Sequence, residues 1–154
     1  MQQEKYDLVR AWLTKAFHDL AAARKLSGDS EALLAPAIYH CQQAAEKAVK
    51  GFLVFHDQSF AKTHNIRSIV EHAQSIDRQL ASWLDAAEQL TPYVSAFRYP
   101  HEDDEPLEPT RAQFDEALAA AEGIFNFVLS LLPAETHPSQ RSDEPNEGPP
   151  NTTA

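Results

Sequence analysis

The sequence predicts an all-α protein, an up-and-down bundle of about five helices with a disordered C-terminal tail. Gly occurs only four times in 154 residues, and long windows are rich in Ala, Leu, Gln, Glu and Lys, the better helix formers. Apolar residues recur in steps of three and four, which places them on one side of a helix. No segment alternates as a strand does. Segments of this kind bury their apolar stripes against each other, and a bundle is the architecture that does so.

The first helix is expected from Tyr6 to Leu26, with Leu8, Trp12, Ala16, Leu20 and Ala23 turned inward and Ser27-Gly28-Asp29 as its stop. The second starts near Pro36, a residue suited to a first helical turn, and ends near Asp57. Its inner face carries Ile38, Cys41, Ala45, Ala48 and Phe52. Gln42, Gln43, Glu46, Lys47 and Lys50 read as the solvent side, with Glu46 and Lys50 in the favourable i,i+4 order. Ala44, Ala45, Ala48 and Gly51 are small enough to admit a second helix, either within the monomer or across a dimer. Thr63-His64-Asn65 is suited to cap a third helix from Ile66 to Ser75. Asp77 can cap a fourth, whose seam is Leu80, Trp83, Ala87, Leu90, Val94 and Phe97, with Pro92 expected to kink or break it. A Pro-rich acidic loop follows. Thr110 then caps a fifth helix with Phe114, Leu118, Ala121, Phe125, Val128 and Leu132 inward, and Pro133 ends it. This gives one domain over residues 1–132 and a Pro/Ser/Glu-rich tail over 133–154, read as disordered.

Composition narrows the function. The net charge is −10, and a polyanion partner needs a concentrated basic face. DNA is therefore not expected, and RNA or a nucleotide would be met at a local site. No run reaches the length of a membrane span, and the first ten residues lack the layout of a signal peptide. The single cysteine, Cys41, excludes an intramolecular disulfide and a Cys-based zinc site. The expected location is the cytoplasm. Neither Glu-x-x-His nor His-Glu-x-x-His occurs, so no metal and no cofactor is expected. Cys41, on an inner helix face, reads as an inert core thiol.

The sharpest chemical candidate is Phe97-Arg98-Tyr99-Pro100-His101, at the end of the fourth helix. Arg98 offers a planar fork for a phosphate and His101 a proton carrier near neutral pH. Together they supply the minimum for metal-free RNA cleavage. The competing reading pairs Arg98 with Asp103, Asp104 or Glu105, and those acids would repel an RNA backbone. Arg67 and His72, with four residues between them, lie at i and i+5 and share no helix face. His64-Asn65 reads most simply as a cap.

Four segments in order carry a family resemblance over about residues 6–132. They are Trp12 through Asp19-Leu20-Ala21-Ala22-Ala23, Ala37-Ile38-Tyr39-His40-Cys41-Gln42-Gln43-Ala44-Ala45-Glu46-Lys47-Ala48, His64-Asn65-Ile66, and Tyr93 to Arg98-Tyr99-Pro100. The chain resembles the HEPN domain family. That resemblance implies a helical bundle, a homodimer with a cleft between protomers, and a minimal nucleotidyltransferase partner in a two-gene, toxin–antitoxin-like system. Some members are metal-independent endoribonucleases that use Arg, four to six intervening residues, then His. Here only two residues separate Arg98 from His101, so the active spacing is not intact. The resemblance thus implies a homodimer that binds a nucleotide or a nucleotidyltransferase partner through Lys47, Lys50, Arg98 and Tyr99. Its alternatives are an endoribonuclease toxin using Arg98 and His101, and a non-catalytic helical adaptor.

Overall fold

The computed structural model describes residues 1–28, 30–100 and 108–139. Among these residues the chain is helical without strands. Helix α1 spans Gln2–Ser27 and α2 spans Leu34–Phe55. Contacts between them pair early residues of α1 with late residues of α2: Tyr6 with Phe55, Leu13 with Gly51, Asp19 with Lys47 and His40. The two therefore run antiparallel. Helix α3 spans Ile66–Gln74, and the Asn65 side chain accepts from the Ser68 N–H as the expected cap. A short helix α4 covers Leu84–Leu90, and α5 covers Arg111–Leu131. A reciprocal capping box joins Thr110 and Gln113 at the start of α5.

The fourth expected helix is not continuous. Arg78–Trp83 is a 3₁₀ turn capped by Asp77, α4 covers only Leu84–Leu90, and Thr91–Val94 is again 3₁₀. Pro92 lacks the N–H that would continue the α ladder, and the tighter turn results. Leu80, Ala87 and Leu90 still reach the core, while Trp83, Val94 and Phe97 are half-buried.

The first half of α1 is turned one residue from the expected register, while the second half keeps it. Val9 and Leu13 are buried with Ala16, Leu20 and Ala23, whereas Leu8 is exposed and Trp12 sits at the rim against Phe60. Both stripes have helical spacing, and the branched pair Val9 and Leu13 packs where α2 comes close. At Gly51 an added Cβ would lie 3.3 Å from Leu13 Cδ2 and Trp12 Cβ. Ala44, Ala45 and Ala48 are fully buried as well. The small face of α2 is thus used inside the protomer, not as a dimer contact.

The solvent side expected for α2 is the larger correction. From Cys41 to Leu53 every residue except Lys47 is buried, including Gln42, Gln43, Glu46 and Lys50. Helix α2 is the central element, packed by α1, α3 and α5, so its polar side has neighbours too.

Residues 133–139 are also placed. Ala134–Thr136 forms a 3₁₀ turn against α1, Thr136 is buried, and Arg10 donates to the Glu135 carbonyl. The His137 ring donates through Nε2 to the carbonyls of Leu129 (2.8 Å) and Leu132 (3.1 Å). The packed part of the chain thus extends past Pro133. The rest of the expected tail, residues 140–154, lies outside the described residues.

Candidate functional site

Three side-chain clusters surround α2, and they differ in how much of their bonding capacity is consumed.

The first has its lysine enclosed, while its His64 ring is reached by solvent. The Glu46 carboxylate is buried, and its Oε1 accepts from Gln42 Nε2 (3.1 Å) and His64 Nδ1 (2.9 Å). Its Oε2 accepts from Lys50 Nζ (3.1 Å). Gln42 Nε2 also donates to the His64 carbonyl (3.1 Å). Lys50 lies 5.6 Å from the Phe60 ring centre and 6.0 Å from that of Trp12. These contacts pin the α2–α3 connection onto α2. Lys50, a candidate ligand contact, has its ammonium bonded within this network. His64 supplies both a ring bond and a backbone acceptor just ahead of the Asn65 cap.

The second cluster is open. Asp19 on α1 is only 7% exposed. Its Oδ2 accepts from Lys47 Nζ (2.7 Å) and its Oδ1 from His40 Nδ1 (2.8 Å). The side chains of His40 and Lys47 are 31% and 25% exposed. The cluster thus reaches from a buried carboxylate to solvent.

The third is Arg98. Phe97 adopts φ 65°, a left-handed conformation that costs a side-chain-bearing residue about 1–2 kcal/mol. Its ring stacks on Tyr93 at 6.1 Å. This turn folds Arg98 back over the bundle, where its N–H bonds the Ser95 carbonyl and Nη1 donates to the Val94 carbonyl (3.1 Å). The guanidinium carbon sits 4.1 Å from the Tyr39 ring centre and 5.6 Å from that of Tyr99, which is 61% exposed. The Val94 carbonyl is the only hydrogen-bond partner of the guanidinium among the described residues. His101 and the acids Glu102, Asp103, Asp104 and Glu105 lie outside them.

The remaining candidates are placed apart from this surface. Arg67 is tied to Glu71 and Glu88, and His72 faces Gln58, so the two do not meet. Cys41 is buried, and burial pushes its thiol up to about 12. No group of three or more metal-ligating side chains occurs among the described residues. A groove of about 170 Å³ between α1 and α5, floored by Phe17, Phe125 and Leu129, shares no residue with the three clusters. No helix among the described residues is long and apolar enough to cross a membrane.

Asp19 and His40 were not singled out as site residues by sequence reasoning. The available signal was an acid lodged between Ala16 and Leu20, inside the apolar stripe of α1. A carboxylate on a buried face needs a charged or hydrogen-bonding partner.

An all-helical bundle with a polar central helix and an Arg-bearing turn after α4 defines a class of small helical domains. The HEPN domain family matches residues 9–131, and the chain belongs to it. The crystal structure of TT1696 from Thermus thermophilus is similar, with a TM-score of 0.70 and 32% identity over 80% of this chain and 98% of that one. The crystal structure of ST0689, an archaeal HEPN homologue, has a TM-score of 0.64 and 29% identity over 80% of this chain and 96% of that one. No match was found among curated proteins.

Proposed function

We propose that this HEPN-domain protein is a homodimer that binds a nucleotide on the surface formed by Arg98, Tyr39 and Tyr99. In this reading it acts with a minimal nucleotidyltransferase in a two-gene, toxin–antitoxin-like system. One observation carries the proposal: a guanidinium laid on an aromatic ring at 4.1 Å, beside an exposed second ring. The stacking holds the Arg98 fork in place, so less rotamer freedom is lost when it grips a phosphate. The neighbouring rings offer stacking area to a base. Lys47, partly exposed and paired with Asp19, is also on α2, and His101 stays a candidate by its place in the sequence, three residues after Arg98. The net charge of −10 favours such a local site over an extended nucleic-acid track.

Isothermal titration of the purified protein with ATP and AMP tests the reading. Arg98→Ala is expected to weaken binding by at least tenfold, the equivalent of about 1.4 kcal/mol. Absence of nucleotide binding by the wild type, or equal binding by Arg98→Ala, overturns it. Sedimentation and co-purification with the product of the adjacent gene test the homodimer and the nucleotidyltransferase partner separately.

A further inference from the structure

The Asp19 cluster fixes what His40 can offer a ligand. Asp19 carries one negative charge, and Lys47 at 2.7 Å already balances it. The contact between His40 Nδ1 and the carboxylate at 2.8 Å needs a proton on Nδ1, because a carboxylate only accepts. With that proton placed, a neutral imidazole has its lone pair on Nε2, the opposite ring atom. No partner of His40 Nε2 occurs among the described residues, and the side chain is 31% exposed. In its neutral form His40 is therefore an oriented hydrogen-bond acceptor on a partly exposed ring, held by a carboxylate that is nine-tenths buried. The preceding residue of the helix is Tyr39, whose ring lies 5.7 Å from that of His40 and 4.1 Å from the Arg98 guanidinium carbon. One short stretch of surface thus presents a phosphate-matching fork, an aromatic plate, an oriented acceptor and a lysine.

A ligand that uses all of these carries an anionic group and, close to it, a hydrogen-bond donor. In a nucleotide the hydroxyls of the sugar meet that requirement, since each lies within a few bonds of the phosphate and can donate. We infer that His40 reads a ribose hydroxyl of the bound nucleotide, so that the site selects ribonucleotides over their deoxy counterparts. Asp19 is the positioning residue that holds the ring in the accepting tautomer, and Lys47 supplies charge balance. This rests on the reading of Arg98 and Tyr39 as the nucleotide surface. The 2′-hydroxyl is the group by which proteins tell RNA-type from DNA-type ligands. A site whose polar atom is left without a partner rejects the analogue that lacks the matching group.

The test is titration of the full chain with AMP, 2′-deoxy-AMP and 3′-deoxy-AMP, for the wild type, His40→Asn and Arg98→Ala. Asn keeps an N–H at the position of Nδ1 to bond Asp19 and removes the outer acceptor, and its melting curve checks that the bundle is intact. The wild type is expected to bind AMP about tenfold more tightly than at least one deoxy analogue. His40→Asn is expected to bind all three alike, at the weaker level. Equal binding of the three ligands by the wild type overturns the inference without any variant. So does a ribose preference that survives in His40→Asn. Binding that needs Arg98 yet ignores the sugar defeats the role of His40 alone. No binding of AMP by the wild type defeats the nucleotide surface itself, and this inference with it.

Discussion

Replacing Glu46 by Gln should destabilise the bundle by about 3–4 kcal/mol, a figure set by what the carboxylate holds. Lys50 is buried, and Glu46 is its only ion-pair partner among the described residues. Removing one member of a buried pair leaves the other charge uncompensated, at a cost of about 3–5 kcal/mol. The Phe60 and Trp12 rings near Lys50 offset part of that, of order 0.5–1 kcal/mol. His64, with a side chain 63% exposed, rehydrates when its bond is lost and adds under about 1 kcal/mol. Against a total stability of about 5–15 kcal/mol, such a loss is large. Urea unfolding followed by circular dichroism should show the midpoint fall by about 2 M with little change in slope. The double variant Glu46→Gln/Lys50→Met removes both charges and should recover most of the loss, because an apolar replacement of a buried pair is often neutral. A single variant within about 1 kcal/mol of wild type would refute the reasoning, since it lies well below the cost of an unpaired buried charge. A double variant no better than the single one would do the same.

Other consequences follow from single residues. A Cβ at position 123 would lie 2.4 Å from Trp83 Cζ3, on a ring already packed against Phe127 at 5.7 Å. Gly123→Ala should thus cost about 1–3 kcal/mol by calorimetry, despite the better helix propensity of Ala. Cys41 should resist a thiol reagent at mildly alkaline pH in the folded protein and label fully in denaturant, and rapid native labelling would contradict its burial. His56 is lowered below its ordinary value chiefly by burial. The unfolded state therefore binds more protons between the two values. The His56 contribution is complete above the unfolded value of 6.5 and is lost as pH falls through the folded one. His56→Phe, which keeps a ring against Phe52 at 4.5 Å, should flatten that slope in pH-dependent melting, and an unchanged slope would exclude His56 as its source.

The sequence made legible those features whose cause is local. Asn65 caps α3, Asp77 caps the turn after it, and Thr110 with Gln113 opens α5, because each cap depends on residues two or three positions away. Pro92 marked the interruption near the end of the fourth segment for the same reason. Features that depend on distant partners were not legible. The register of the first half of α1 turns on the approach of α2 at Gly51, which local periodicity does not encode. Gln42, Glu46 and Lys50 have the composition of a wet helix face, and only the arrival of His64, Phe60 and Trp12 converts them into an interior network. Arg98 was visible as a residue type, but its ring partner Tyr39 lies 59 positions earlier, so the stacking was hidden.

The two buried carboxylates, Asp19 on α1 and Glu46 on α2, hold their partners differently. Each has one lysine and one histidine, so composition does not distinguish them. Glu46 also engages the Gln42 amide, which in turn reaches the His64 backbone, and the lysine head lies inside the bundle. That network fixes a connection, with its lysine inside the bundle and the His64 ring still reached by solvent. Asp19 engages only His40 and Lys47 among the described residues, and both continue to the surface. Anchoring α1 to α2 would be achieved by Lys47 alone. The second contact adds a defined orientation to an imidazole that solvent reaches, next to Tyr39 and its stacked arginine. The physical consequence is an acceptor whose direction is set before any ligand arrives, and pre-set direction lowers the ordering cost of binding.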